Sequence, residues 1–311
     1  MADSFEALVD QLNTRHLTQF SPASRELLAE TFLKHESAFM IPRGVTEQIV
    51  AFNSCKIEDL MRALLPFAQT FSVSPISQFE VGVVGLGKSG NLYLGSNWEL
   101  PSQHLGYSVH AEQACVSNAL LAGESTLESL SLTAAPCGHC RQFLYELDGI
   151  GNLTCHNGSE TNTLASLLPN AFSPKDLQVE KNLLEPNNQK WEIPGASGDK
   201  LLASSVSALA KSHAPYSGCP SAICLQTEDG HLFTGTYIES VAFNPSLPPL
   251  QAALCQRALS TSRNSRIVDA VLVEIQGASV RQKDATHSIL SSLAPACGLR
   301  VFELEPLRNN D

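Results

Sequence analysis

The sequence predicts an α/β protein in which an α-β-α layered core occurs twice, behind a small N-terminal helical segment. Three observations predict it. Apolar residues recur at three and four residue spacing through residues 1–67. The period then becomes strand-like and returns to helical. Finally, the strand-bearing pattern comes back at a constant offset of 140 residues, which marks an internal duplication.

In the first 67 residues, FEALVDQL, SRELLAETFL and IEDLMRALLPFA each read as an amphipathic helix, and no candidate chemistry lies among them. From Phe79 to Asn97, FEVGVVGL and NLYLGSN flank a Lys88-Ser89-Gly90 turn, which predicts a β-hairpin. A helix over Ala111 to Leu121 (AEQACVSNALL), a strand LESLSLTAA and a helix over Cys137 to Leu147 (CGHCRQFLYEL) complete a β-β-α-β-α unit. Residues 68–160 are therefore read as the first core domain. The stretch from about 151 onward is rich in Asn, Pro and Ser, and 161–195 is read as a connecting segment. Residues 196–311 form the second domain.

The duplication is legible residue by residue. Pro75, Ser77, Gly90, Leu92, Gly95 and Glu99 meet Pro215, Ser217, Gly230, Leu232, Gly235 and Glu239, and SGNLYLGSNWE aligns with DGHLFTGTYIE. A shorter following loop changes the offset to 138, so Gln113-Ala114 meets Gln251-Ala252 and His110-Ala111-Glu112 meets Pro248-Pro249-Leu250.

Two phosphate-binding patterns are present and misleading. Gly82 to Ser89 (GVVGLGKS) and Gly85 to Gly90 (GLGKSG) match G-x-x-x-x-G-K-S and G-x-G-x-x-G. Both need a helix N-terminus directly after the loop, and here a strand follows. The second copy places Asp229-Gly230 at Ser89-Gly90, which is turn chemistry.

Formal net charge is -11, with no Lys or Arg run to track a phosphate backbone, so small molecules are expected in preference to nucleic acid. MADSFEALVDQL lacks the basic and apolar pattern of a cleavable leader, and no stretch approaches the roughly 18 apolar residues of a membrane span. A cytoplasmic protein is expected, with no membrane partner. Nine cysteines, an odd number, fit a reducing compartment. Cys115 reads as core, and Cys55, Cys155, Cys219, Cys224, Cys255 and Cys297 as small apolar residues.

The chemistry is concentrated in His110-Ala111-Glu112 and Pro136-Cys137-Gly138-His139-Cys140. His110, Cys137 and Cys140 supply three metal ligands. A structural zinc normally takes four, whereas a catalytic zinc takes three and keeps a position for water. Both halves sit at expected helix starts, where free N–H groups and the positive dipole end favour thiolates, and the i, i+3 spacing puts both sulfurs on one face. Glu112, two residues after the ligand histidine, can reach that water without being a ligand, the place of a proton shuttle. A redox pair, half of a structural zinc knuckle or a satisfied structural histidine would leave Glu112 unexplained. His139 is read as a supporting or surface group. One zinc per chain is expected, since the second copy lacks ligand and acid/base alike.

H-x-E with P-C-x-x-C is the signature of the zinc nucleobase deaminases. With Pro136-Cys137-Gly138-His139-Cys140-Arg141-Gln142 in place, the whole chain resembles the cytidine deaminase family, specifically its long, two-domain bacterial type. The resemblance implies a cytidine-deaminase-like fold and hydrolytic deamination of cytidine and 2′-deoxycytidine to uridine and 2′-deoxyuridine, with loss of ammonia, in pyrimidine nucleoside salvage. It places Phe79 near the sugar, Asn97 and Glu99 of Gly95-Ser96-Asn97-Trp98-Glu99 on the ribose 3′-hydroxyl, and backbone near Ala111 and Cys137 on the base. A carboxylate there accepts from a hydroxyl and repels a phosphate. The alternative is that Asn97 and Glu99 only cap the strand, as the retained Glu239 suggests. The resemblance also implies a homodimer in which the Val241-Ala242-Phe243-Asn244-Pro245 loop, through Ala242 and Phe243, approaches the neighbour's substrate. A deaminase of deoxycytidylate, purine bases or tRNA, and an inactive zinc-stabilised binding protein, are the rival readings.

Overall fold

Ser4 starts the first helix by accepting the Ala7 N–H on its Oγ, and α1 (Phe5–Gln11) follows. The computed structural model describes residues 3–187, 191 and 198–305. Residues 188–190 and 192–195 of the connecting segment, and 196–197 and 306–311 of the second domain, lie outside the described residues. A π turn at Leu12–His16 ends α1; Ser21 and Pro22 then open α2 (Pro22–His35).

Two elements of this N-terminal part were not anticipated. Between α2 and the third expected helix lie a short strand, β1 (Met40–Ile41), and α3 (Arg43–Asn53), which buries Thr46 and Ile49. The next helix, α4 (Ile57–Gln69), buries Leu60, Met61, Leu64, Leu65, Phe67 and Ala68, and the expected boundary between residues 67 and 68 falls inside it. Its apolar face needs the sheet to cover it, so it belongs physically to the first core.

The hairpin forms as expected from β2 (Gly82–Gly87) and β3 (Leu92–Ser96), turning at Gly90 with φ +85°. No helix follows the G-x-x-x-x-G-K-S pattern; β3 does. Then come α5 (Ala111–Ala122), β4 (Leu127–Leu132) and α6 (Gly138–Leu144), the last continuing as a 3-10 turn over Tyr145–Leu147. β5 (Thr154–Asn157) runs parallel to β4, and β6 (Glu160–Thr163) folds back antiparallel on β5. The sheet order is β1-β3-β2-β4-β5-β6. Because β6 carries the expected boundary between residues 160 and 161, the start of the connecting segment is sheet, and α7 (Leu164–Leu167) tucks Leu164 into the core.

Glycines show the layering. A Cβ on Gly82 would meet Leu65 O and Gln69 N of α4, whereas one on Gly85, on the opposite face of β2, would meet Cys115 Sγ of α5. Helix, sheet and helix are the three layers predicted from sequence.

The second copy comprises α8 (Lys200–Leu209), β7 (Ala222–Thr227), β8 (Leu232–Thr236), α9 (Pro249–Ala258), β9 (Ile267–Ile275), α10 (Lys283–Leu293) and β10 (Gly298–Leu304), with sheet order β10-β9-β7-β8. Its bounds repeat those of the first at the predicted offset: β7 and β8 lie 140 residues after β2 and β3, and the pair Val83↔Leu132 recurs as Ile223↔Leu272. Even the irregularity at Leu86/Gly87 recurs at Gln226/Thr227. The largest hydrophobic cluster runs through both copies, with Val116 and Ala119 of α5 and Leu250 and Leu254 of α9 among its fully buried members.

Candidate active site

His110 is the N-cap of α5, in extended conformation, and its backbone N–H is taken by Oε1 of Gln113 at 3.1 Å. Cys137 holds the same place on α6, where the Arg141 N–H reaches the Cys137 carbonyl at 3.0 Å. Arg141 also braces the approach to that helix, donating through Nε to Pro136 O at 2.7 Å and through Nη1 to Leu167 O at 2.6 Å. Two helix N-termini therefore meet, and their positive ends favour anionic sulfur between them.

The three donor atoms form a small triangle. His110 Nδ1 lies 3.5 Å from Cys137 Sγ and 3.3 Å from Cys140 Sγ, and the two sulfurs are 3.6 Å apart. A tetrahedral zinc with ordinary Zn–S and Zn–N bonds requires donor separations of roughly 3.5–3.8 Å, so these residues fit the ion within a few tenths of an ångström. Among the described residues this cluster has three His, Cys or acidic members and no fourth.

Without the ion, the same proximity rearranges protons. The Cys140 thiol and then the His110 ring hydrogen-bond to Cys137, holding its pKa at about 3, while that thiolate and burial push the Cys140 thiol far up. The hydrogen bond to Cys137 raises His110 as well. Groups that share protons this closely release them when a divalent cation binds. The ring of His139 stacks on that of His110, with centroids 5.0 Å apart and planes at 26°. Burial, then the charge of His110, keeps His139 below the usual imidazole range.

Glu112, in the first turn of α5, is 4 % exposed. Burial pushes its carboxyl up, opposed by its own backbone N–H and by the Cys140 side chain. A carboxyl so placed holds its proton more readily than one in water.

His110, Glu112 and Cys137 face one cavity of about 250 Å³. Phe79, Asn97, Glu99, Ala111 and Glu112 line it together with His110 and Cys137, so each expected residue of the first copy except Cys140 is on its wall. Phe79 presents an exposed ring there. Asn97 Oδ1 accepts from Ser72 Oγ at 2.7 Å and Val81 N at 2.8 Å, and its Nδ2 donates to Phe79 O at 2.9 Å. Glu99 accepts the N–H groups of Ile76 at 2.7 Å and Ser77 at 3.0 Å, and the Ser77 hydroxyl. Burial raises the Glu99 carboxyl, but these donors outweigh it and hold it below the usual carboxylate range. Glu99 thus both braces the 74–78 turn and lines the cavity. The cavity wall also includes Ser77, Ser108, Ala134 and Ala135, which sequence reading did not select as site residues. Ser77 carried a signal, its recurrence as Ser217; small residues at 134 and 135 carried none beyond preceding Pro136.

Ala242 and Phe243 are not on this wall. Both are exposed, and Phe243 adopts φ +62°. In the second copy Pro248-Pro249-Leu250 opens α9 with no metal donor, while Glu239 repeats the Glu99 arrangement with Tyr216 N, Ser217 N and Ser217 Oγ.

Known proteins match both copies. The family described as "Cytidine and deoxycytidylate deaminase zinc-binding region" matches residues 54–157 and, through a second model with the same description, residues 164–287. A cytidine deaminase of Serratia proteamaculans is 42% identical over 251 residues, covering 79% of this chain and 85% of the relative. One from Proteus mirabilis is 40% identical over 277 residues, covering 89% and 94%. A solved cytidine deaminase from Mycobacterium leprae is 32% identical, with TM-score 0.34, and spans 36% of this chain and 97% of its own. With family matches on each half, relatives of nearly full length and a cysteine–histidine triangle that fits zinc, the chain belongs to the cytidine deaminase family.

Proposed function

We propose that the chain is a zinc-dependent hydrolase that converts cytidine and 2′-deoxycytidine to uridine and 2′-deoxyuridine, releasing ammonia, in pyrimidine nucleoside salvage. The observation that carries this is a three-donor metal triangle and a buried acid, Glu112, opening on the same cavity as Phe79, Asn97 and Glu99.

His110, Cys137 and Cys140 would hold zinc, which would supply a Lewis acid that lowers the pKa of water. Glu112 moves the protons. It takes one from the attacking water and delivers it to N3 of the pyrimidine as the C4–O bond forms, then assists the amine as the C4–N bond breaks. The balance is one water consumed and one ammonia released. Phe79 offers an apolar face, the backbone at Ala111 and Cys137 orients the base, and Asn97 and Glu99 receive the ribose hydroxyl. The Glu99 charge disfavours a phosphate on the same sugar, which separates this reading from a deoxycytidylate deaminase.

The catalytic unit is built on residues 68–160 together with the whole of α4 and β6, behind a helical prelude; a connection up to residue 195 leads to 196–311, a copy without zinc. Two chains pair so that Ala242 and Phe243 of one complete the cavity of the other. The nine unpaired cysteines support a reducing, cytoplasmic setting, and among the described residues no helix is long and apolar enough to cross a membrane.

Loss of the cytosine absorbance band on incubation with cytidine, together with zinc analysis, tests the reaction. Turnover with about one zinc per chain supports it; zinc without turnover refutes it. Competition between cytidine and its monophosphate tests the role of Glu99, and light scattering tests the dimer: a fully active monomer would exclude it.

A further inference from the structure

The turn after α6 carries a carboxylate with no exposure at all. Glu146, six residues beyond Cys140, has a side chain with 0% relative accessibility, and the donors that reach it all come from the second copy: Tyr216 Oη at 2.7 Å, Val241 N at 2.7 Å and His213 Nε2 at 3.3 Å. The positions equivalent to His213 and Tyr216 in the first copy are Val73 and Ile76, whose side chains cannot donate. The donor set therefore exists only in the copy without metal ligands.

Val241 begins the short loop that ends at Pro245. At that far end, Pro245 O accepts Nε2 of Gln113 at 2.8 Å, and the Oε1 of the same Gln113 holds the His110 N–H. One loop is thus tied at one end to the cysteine helix and at the other to the histidine helix. Short-range hydrogen bonds brace it. Phe243 N bonds Ser240 O at 2.8 Å, Asn244 N bonds Ala242 O at 2.8 Å, and Ser240 N bonds Ser246 Oγ at 3.0 Å, around the left-handed Phe243. The equivalent of Gln113, Gln251, is 1% exposed with no partner for its Nε2, and Pro248 has no N–H for it to accept. The bridge is built at one of two equivalent places, the one beside the metal triangle.

We propose that the Val241–Pro245 loop is a splint that sets the separation of the two ligand-bearing helix starts, with Glu146 and Gln113 as its positioning residues. The ligands come from the ends of two different elements, and donor separations near 3.5 Å leave little tolerance for either end to drift. The dead copy acts on the living one through this loop, within one chain. The proposal rests on the zinc reading of the site.

The test is the rate at which full-length, zinc-loaded protein releases zinc to a chromogenic chelator. Glu146→Ala and Gln113→Ala release it about ten-fold faster than wild type. Because either cut frees the same splint, the double variant is no faster than the faster single one, while Glu146→Gln, which keeps one acceptor oxygen, lies between and Gln251→Ala matches wild type. Folded single variants with wild-type release, or a double variant whose effects multiply, overturn the splint. If Glu146→Ala does not fold, Tyr216→Phe removes one donor only: faster release supports the proposal and unchanged release overturns it. A wild-type chain that takes up no zinc fails at the site itself, before the splint is reached.

Discussion

Gly95 lies directly beneath Ala111. A Cβ built on Gly95 would stand 2.3 Å from the Ala111 carbonyl oxygen and 2.4 Å from Cys115 N, both backbone atoms that cannot turn aside. The second strand and the histidine helix approach so closely that only glycine fits, and the closeness brings Asn97 and Glu99 to the same cavity as Glu112. Gly95→Ala is expected to cost about 1–3 kcal/mol or more in urea unfolding and to lower zinc content, because α5 must lift with His110 on its end. Gly235, with Pro249 O at 2.0 Å, makes the same approach in the second copy, so Gly235→Ala destabilises comparably. Wild-type stability in Gly95→Ala would contradict the packing.

Glu112→Gln keeps size and burial but cannot carry the proton. Turnover falls by roughly 10²- to 10⁴-fold with zinc retained. Steady-state kinetics paired with zinc analysis on one preparation decides it, and normal turnover removes Glu112 from its role.

Stripping the zinc exposes a reactive thiolate. Cys137 is on the surface with its pKa held at about 3, whereas Cys140 is buried and pushed up. At mildly acidic pH, alkylation of chelated protein is therefore expected first at Cys137, and zinc reloading protects it. Peptide mass spectrometry of briefly alkylated samples reads this directly; equal labelling of Cys137 and Cys140 would not fit.

Stability carries a pH signature at Glu124, just past the end of α5. Burial raises its carboxyl, but the Ser89 hydroxyl, the Ser125 N–H and the Tyr93 hydroxyl outweigh that and hold it below the usual carboxylate range. The folded value lies under the unfolded one, so the contribution is complete above about pH 4.3 and fades as pH falls through the folded value. The stability gap between wild type and Glu124→Gln, from urea unfolding, is thus widest near neutral pH and narrows in acid. A gap that stays constant into acid would refute it.

Much of the fold is legible in the chain because its signals are local or self-similar. The hairpin announces itself through alternation around Lys88-Ser89-Gly90, and the second copy through repeated glycines and Glu239. A helix missed outright, α3, sits between a two-residue strand and a turn, although its covered residues Val45, Thr46, Ile49 and Val50 do recur at the spacing of one helix face. The boundaries expected at 67/68 and 160/161 fell inside α4 and β6 because composition changes where solvent exposure changes, while domain membership follows packing.

By itself the sequence picked out His110, Cys137 and Cys140 as candidate metal donors, Glu112 as the candidate acid beside them, and the duplication. Each rests on residue type at short spacing near a helix start, where the backbone already dictates which side chains share a face. The tertiary structure alone decided what surrounds them: that Glu99 is braced by Ser77, that His139 stacks on His110, and that Glu146 and Gln113 hold the two ends of one loop from the second copy. Such contacts join residues as far as 132 positions apart. No local rule encodes them, because they arise only when burial forces each polar atom to find a partner from another part of the chain.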